Sequence, residues 1–185
     1  MNSEELTEKV LSRSVVHPGV FLRLEHWQVA LPNGETAPRE IARLPGASAV
    51  VALDADNNLL LVRQHRVAVG RITLELPAGK LDSPEEDPFL CAQRELEEET
   101  GYRADSWSKL TTIEPSPAFC TEQIHLYQAT GLKAGASHPD EDEFLAVTRI
   151  PLKEAAAMVM NGKIMDGKTA VGILMAAGRA GLSLI

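Results

Sequence analysis

Two cysteines, Cys91 and Cys120, are all that the 185 residues contain. No disulfide framework can be built from them, and a reducing cytoplasmic setting is expected. Positive charge is also short. Eighteen Lys and Arg against 26 Asp and Glu leave a net charge of −8, which argues against a nucleic-acid polymer or an anionic membrane as the main partner. The opening MNSEELTEKV lacks a basic region and an apolar core, so it is not expected to be a signal peptide. The apolar tail at 171–177 is too short to span a bilayer. Aromatics are only 4% of the chain. His17, His26, His65, His125 and His138 show no helical ligand spacing, and none is assigned to a metal. Internal repeats and low-complexity segments are missing too. What is present, 44% hydrophobic and 24% charged residues, suits one well-cored domain with an added subdomain.

Read in order, residues 1–14 are polar and expected as a short helix or loose arm. Val20–Leu24, His26–Leu31 and Arg39–Arg43 read as three strands of a small antiparallel sheet, with a turn at Pro32-Asn33-Gly34. Such a sheet is too small to stand alone. Leu44-Pro45-Gly46 marks a boundary, giving an N-terminal subdomain over 1–45 and a larger domain over 46–185. In the latter, Ala47–Leu53 and Leu59–Arg66 read as a hairpin. Further strands are expected at Ser106–Glu114, Gln123–Ala129 and Phe144–Ile150. Helices are expected after Pro151 and over Lys168–Ala177. The mix is that of an α/β or α+β layered domain.

The stretch from Glu75 to Tyr102 organises the chain. Asp87 as N-cap and Pro88 at the first helical position open a helix that Gly101 closes. An earlier start at Ser83, with Glu86 completing a capping box, would place Pro88 inside the helix, where its ring clashes. Phe89, Ala92 and Leu96 form the apolar stripe, Glu95, Glu98 and Glu99 the stripe beside it, and Glu97 points away. Three neighbouring carboxylates at a helix C-terminus repel one another and oppose the macrodipole. A divalent cation offsets both effects, and an all-oxygen site suits Mg2+ or Mn2+. The alternative is a solvated acidic face.

Arg94-Glu95-Leu96-Glu97-Glu98-Glu99-Thr100-Gly101-Tyr102 resembles the second half of the Nudix box, the signature of the Nudix hydrolases. Gly79 resembles the first glycine of that box and Glu86 its first glutamate. Six residues stand between them, one more than the family pattern has, which leaves open whether Glu85 or Glu86 takes the glutamate's part. The resemblance implies an α/β/α sandwich with a mixed central sheet, plus the small N-terminal antiparallel sheet. Leu31-Pro32-Asn33-Gly34, Arg63-Gln64-His65-Arg66, Glu75-Leu76-Pro77-Ala78-Gly79 and Asp166-Gly167-Lys168-Thr169 resemble the ADP-ribose pyrophosphatase branch in particular. That branch hydrolyses ADP-ribose to AMP and ribose 5-phosphate, and its members are typically homodimers that meet through their N-terminal sheets.

Site roles follow from the same resemblance. Glu95, Glu99 and Glu98, with the carbonyl of Ala78, are expected as metal ligands, Glu98 doubling as a catalytic group, and Arg94 as their brace. Glu143, with Glu141 second, is expected as general base on an acidic loop; a solvated acidic turn is the alternative. Arg66 and Glu75 match residues contacting the diphosphate or ribose, or else form a plain ion pair between adjacent strands. Phe21, Arg39 and Glu40 match the substrate-binding segment of the N-terminal sheet, with core packing the alternative for Phe21. Competing functions are a Nudix pyrophosphatase for another nucleoside diphosphate sugar such as GDP-mannose, one for an oxidised guanine nucleotide, or a non-enzymatic ADP-ribose sensor.

Overall fold

The structure is a computed structural model that describes residues 2–138 and 144–183. The chain forms two compact units, one of residues 1–45 with 114–122 and one of residues 46–113 with 123–185.

The first unit is an antiparallel sheet in the order β1 (Lys9–His17), β2 (Arg23–Ala30), β3 (Thr36–Arg43). Gly34, at φ +88°, closes the turn between β2 and β3 and donates its N–H to Leu31 O at 3.0 Å. Residues 114–122 join this unit where Ala42 N donates to Phe119 O and Thr121 N to Ala42 O. Two sequence expectations change here. Residues 9–14 are strand rather than arm, because register shifts after Val10 and Val15 allow the apolar doublets Val10-Leu11 and Val15-Val16, which hide the strand's alternation. Val20–Leu22 is bend rather than strand. At Gly19 (φ +35°) the chain passes so close to Leu22 O that a Cβ would lie 1.8 Å from it. Val29 and Glu25 are the buried residues of β2, so this unit has little core of its own.

The second unit is built on β4 (Ala47–Ala52), whose six residues are all buried. A strand buried on both faces must be covered on both. Ala49, Val51 and Leu53 pack with Leu152, Ala155 and Ala156 of α2 (Leu152–Met160) and Ile173, Ala176 and Ala177 of α3 (Gly167–Arg179). Val50 and Ala52 pack on the other side with Ala92 and Leu96 of α1 (Pro88–Thr100). Gly172 lets α3 approach the sheet; a Cβ there would meet Leu76 Cδ1 at 2.7 Å. The result is an α/β/α sandwich.

Two sheets supply its middle layer. One is mixed, in the order β7 (Ala78–Lys80), β4, β9 (Ile124–Ala134), β8 (Tyr102–Ile113), with β4 and β9 parallel. The other is antiparallel, in the order β10 (Leu145–Pro151), β5 (Asn58–Arg66), β6 (Arg71–Glu75). The expected hairpin of 47–53 with 59–66 therefore does not form. β4 and β5 meet at a single bridge, Leu53↔Leu59, and then diverge into separate sheets. The buried parts of both strands, residues 49–52 and 59–62, are apolar runs, and such runs do not reveal which neighbour a strand will take.

Candidate active site

Helix α1 starts and stops where its residue types require. The Asp87 carboxylate accepts from Phe89 N at 2.8 Å, Pro88 stands at the first helical position, and Gly101 at φ +72° caps the end. The apolar stripe is anchored by buried Ala92 and Leu96, and by Phe89, whose ring lies 5.6 Å from those of Trp107 and Tyr127. Once that face is docked, Glu95 and Glu99 are carried beneath the 78–80 backbone. Both carboxylates are buried, Glu95 8% and Glu99 2% exposed. Glu99 Oε2 accepts from Ala78 N at 3.1 Å. Glu95 lies so close under Gly79 that a Cβ there would meet its carboxylate atoms at 2.0–2.4 Å. Gly79 is thus required by space rather than by backbone conformation.

One cation gathers this cluster. Arg94 Nη1 donates to Glu95 at 2.7 Å and to Glu98 at 3.0 Å, Nε lies 3.4 Å from Glu86 and 3.5 Å from Asp82, and Nη2 donates to Lys80 O at 3.1 Å. Of the two residues between which the sequence left the first glutamate open, Glu86 is the one in contact with Arg94, and it also accepts from Asp82 N. Burial works against the Arg94 charge, but Glu95, Glu86 and Glu98 outweigh it and hold the guanidinium above its ordinary pKa. Burial, then the charge of Glu95, pushes the Cys91 thiol up to about 11, which keeps it from acting as a nucleophile.

The donors present are hard oxygens in negative excess, the chemistry that Mg2+ or Mn2+ takes. Among the described residues, no three acidic, His or Cys side chains converge on one point; Glu95 and Glu98 are turned onto Arg94 instead. The residue types fit a divalent cation, with Glu95, Glu98 and Glu99 on successive positions of one face of α1 and Glu99 hydrogen-bonded to the Ala78 backbone.

A second cluster sits at the end of β6. Glu75, 3% exposed, accepts from Arg66 Nε and Nη2, both at 2.9 Å, from Thr73 Oγ1 at 2.6 Å, and from Lys168 Nζ. Lys168 Nζ also donates to Asp166 at 3.0 Å. Asp166 caps α3 by accepting from Thr169 N at 3.0 Å and Thr169 Oγ1 at 2.6 Å, and Thr169 Oγ1 in turn accepts from Leu76 N at 2.9 Å. Burial alone would raise the Glu75 carboxyl, yet Arg66 and Lys168 bring it down to about 2. The Glu75 hydrogen bonds hold Arg66 above its ordinary pKa, and the charge of Glu99 adds to this, which places Arg66 within electrostatic reach of α1.

The sequence-derived residues divide accordingly. Glu99 and Glu95 lie at the backbone of Ala78 and Gly79, Glu98 is linked to Glu95 through Arg94, and Arg66 and Glu75 form the ion pair between adjacent strands. Phe21, Arg39 and Glu40 belong to the first unit, where Arg39 pairs with Glu8 and Glu40 is exposed. Glu141 and Glu143 lie outside the described residues. Lys168 and Asp166 carried no assigned role, although Asp-x-x-Thr ahead of an apolar run is a readable helix start. Thr73 gave no signal.

Against known proteins, the NUDIX domain family model matches residues 42–167. The methanol dehydrogenase activator of Bacillus methanolicus is 41% identical, over 90% of each chain. The ADP-ribose pyrophosphatase of Bacillus subtilis (strain 168) is 38% identical over 92% of each. A crystal structure of an ADP compounds hydrolase superposes with a TM-score of 0.84 over 95% of this chain and 96% of that one, at 22% identity, a likeness of fold.

Proposed function

The chain belongs to the Nudix family, and from that premise we propose that it hydrolyses the pyrophosphate of ADP-ribose, water adding to one phosphorus as AMP and ribose 5-phosphate separate. The observation that carries this reading is the α1 cluster, where buried Glu95 and Glu99 lie against Ala78 and Gly79 with one arginine facing four carboxylates. Similarity over nearly the whole length to a protein named for ADP-ribose supports the substrate.

In this reading Glu95, Glu98, Glu99 and the Ala78 carbonyl hold Mg2+, with Mn2+ as substitute. Held by these residues, the cation would supply charge neutralisation at the diphosphate and a lowered pKa for the attacking water. Arg94 keeps the glutamates from splaying before the cation arrives. Arg66 offers its planar donors to a phosphate. Glu143, or Glu141, takes the water's proton, and Glu98 assists. Phe21, Arg39 and Glu40 are assigned to the adenosine end. A homodimer is part of this reading, supported by the first unit, where Leu11, Val15 and Val16 of β1 are each more than half exposed, at 56%, 52% and 61%. A cytoplasmic location fits two free cysteines.

The test is incubation with ADP-ribose and Mg2+, alongside GDP-mannose and an oxidised guanine nucleotide at equal concentration. AMP release from ADP-ribose that stops with chelator is expected. Preference for another substrate in the panel would reassign the enzyme within the family. Tight ADP-ribose binding without product would sink the hydrolase reading.

A further inference from the structure

A carboxylate offers about four acceptor positions on its two oxygens. Glu75 fills all four, with two donors from Arg66, one from Thr73 and one from Lys168. It retains no position for a substrate hydroxyl unless one of these partners leaves. Arg66 is placed differently. A guanidinium has five N–H donors, Glu75 engages Nε and Nη2, and the side chain is 43% exposed. Of the two, Arg66 is the group able to meet a ligand, and Glu75 sets its plane.

What fixes Glu75 comes from far along the chain. The Lys168 side chain is 13% exposed and stands between two carboxylates, Glu75 and Asp166. Asp166 cannot swing away, because its Oδ2 also caps α3 through Thr169 N and Oγ1. Thr169 Oγ1 reaches back to Leu76 N, the residue after Glu75. The start of α3 therefore grips the end of β6 twice, once through a backbone N–H and once through the lysine. Each side chain in the sequence Asp166, Lys168, Glu75, Arg66 is held by its neighbour.

We propose that Lys168 is a positioning residue for the diphosphate: by holding Glu75 Oε2 against Asp166 it fixes the plane of the Arg66 guanidinium and leaves three N–H groups for the substrate phosphates. Lys168 itself makes no contact with substrate in this scheme. The proposal rests on the nucleotide-sugar reading for its kinetic consequence, though not for its structural one.

Both consequences are measurable. Lys168→Met should raise KM for ADP-ribose about tenfold while kcat changes less than about threefold, the pattern of lost binding common to ground and transition states. Lys168→Arg should recover most of that loss. Lys163→Met, at an exposed lysine between α2 and α3, should match the wild type. Independently of substrate, NMR of the Arg66 Nε–H should show slow solvent exchange and restricted guanidinium rotation in the wild type, and fast exchange and free rotation in Lys168→Met. If the methionine variant does not fold, Lys168→Gln serves for both measurements. An unchanged KM together with an unchanged Arg66 signal overturns the proposal. A wild type inert toward every nucleotide sugar overturns the functional reading instead, and the NMR measurement then still decides the role of Lys168.

Discussion

The two charged clusters of the second unit are made of the same groups and are balanced in opposite ways. At α1 a single arginine, Arg94, faces Asp82, Glu86, Glu95 and Glu98. At β6, Arg66 and Lys168 face Glu75 and Asp166, two cations against two anions. The second is neutral and its central carboxylate is saturated with donors, so it is complete as a piece of structure. The first sets one arginine against four carboxylates of the described residues. Like charges held close together repel one another, and a bound cation would relieve that repulsion. The β6 cluster is balanced within itself, and the α1 cluster is the one proposed to take a cation.

That contrast breaks most visibly at Glu99. Glu99→Gln should lower kcat/KM for Mg2+-dependent hydrolysis by about 100-fold or more, as read from AMP release, and should weaken Mg2+ binding in calorimetry. Wild-type turnover in this variant would remove the α1 cluster from the chemistry.

Next in size is Arg94→Met, which leaves the carboxylates without their resident cation. A loss of about 3 kcal/mol in urea unfolding is expected, and Mg2+ should restore more of the melting temperature in the variant than it adds to the wild type. If Mg2+ stabilises both equally, the surplus is not what the metal answers.

The β6 cluster is sharpened by pH. Glu75 has a folded pKa near 2 against an ordinary 4.5, so its folded form favours the carboxylate. Its contribution, on the order of 3 kcal/mol, is fully present above pH 4.5 and is lost as pH falls from there toward 2. Glu75→Gln should flatten the stability–pH curve in that window and destabilise the protein at neutral pH, as measured by urea midpoints between pH 2.5 and 7.

The smallest effect is expected at Gly79. Gly79→Ala puts a methyl into the Glu95 carboxylate at a cost of about 1–3 kcal/mol, with activity falling more than stability because Glu95 must move. A fully active alanine variant would show that Glu95 has room that the structure does not give it.

Legibility in the sequence followed the range of the interactions. Helix α1 was readable to its ends, since Asp87, Pro88 and Gly101 act within a turn of themselves. The bracing of Glu98 by Arg94 was readable because residues four apart share a face. The contact of Glu86 with Arg94 was not, because it depends on how the 82–87 bend folds back on α1. The 47–53 and 59–66 segments were legible as strands but not as members of two sheets. Strand β1 was hidden because its bulges break the alternation by which strands are recognised.

By itself the sequence determined the helix, its paired stripes and the acidic surplus beside Arg94, for caps and helical spacing are rules that neighbouring residues satisfy alone. Tertiary structure decided which carboxylates are buried, that Gly79 must lack a side chain, and that Glu75 is shared between Arg66 and Lys168. Lys168 stands 93 positions from Glu75 along the chain. Such partners are chosen by the docking of α3 onto the sheet, which local spacing does not encode.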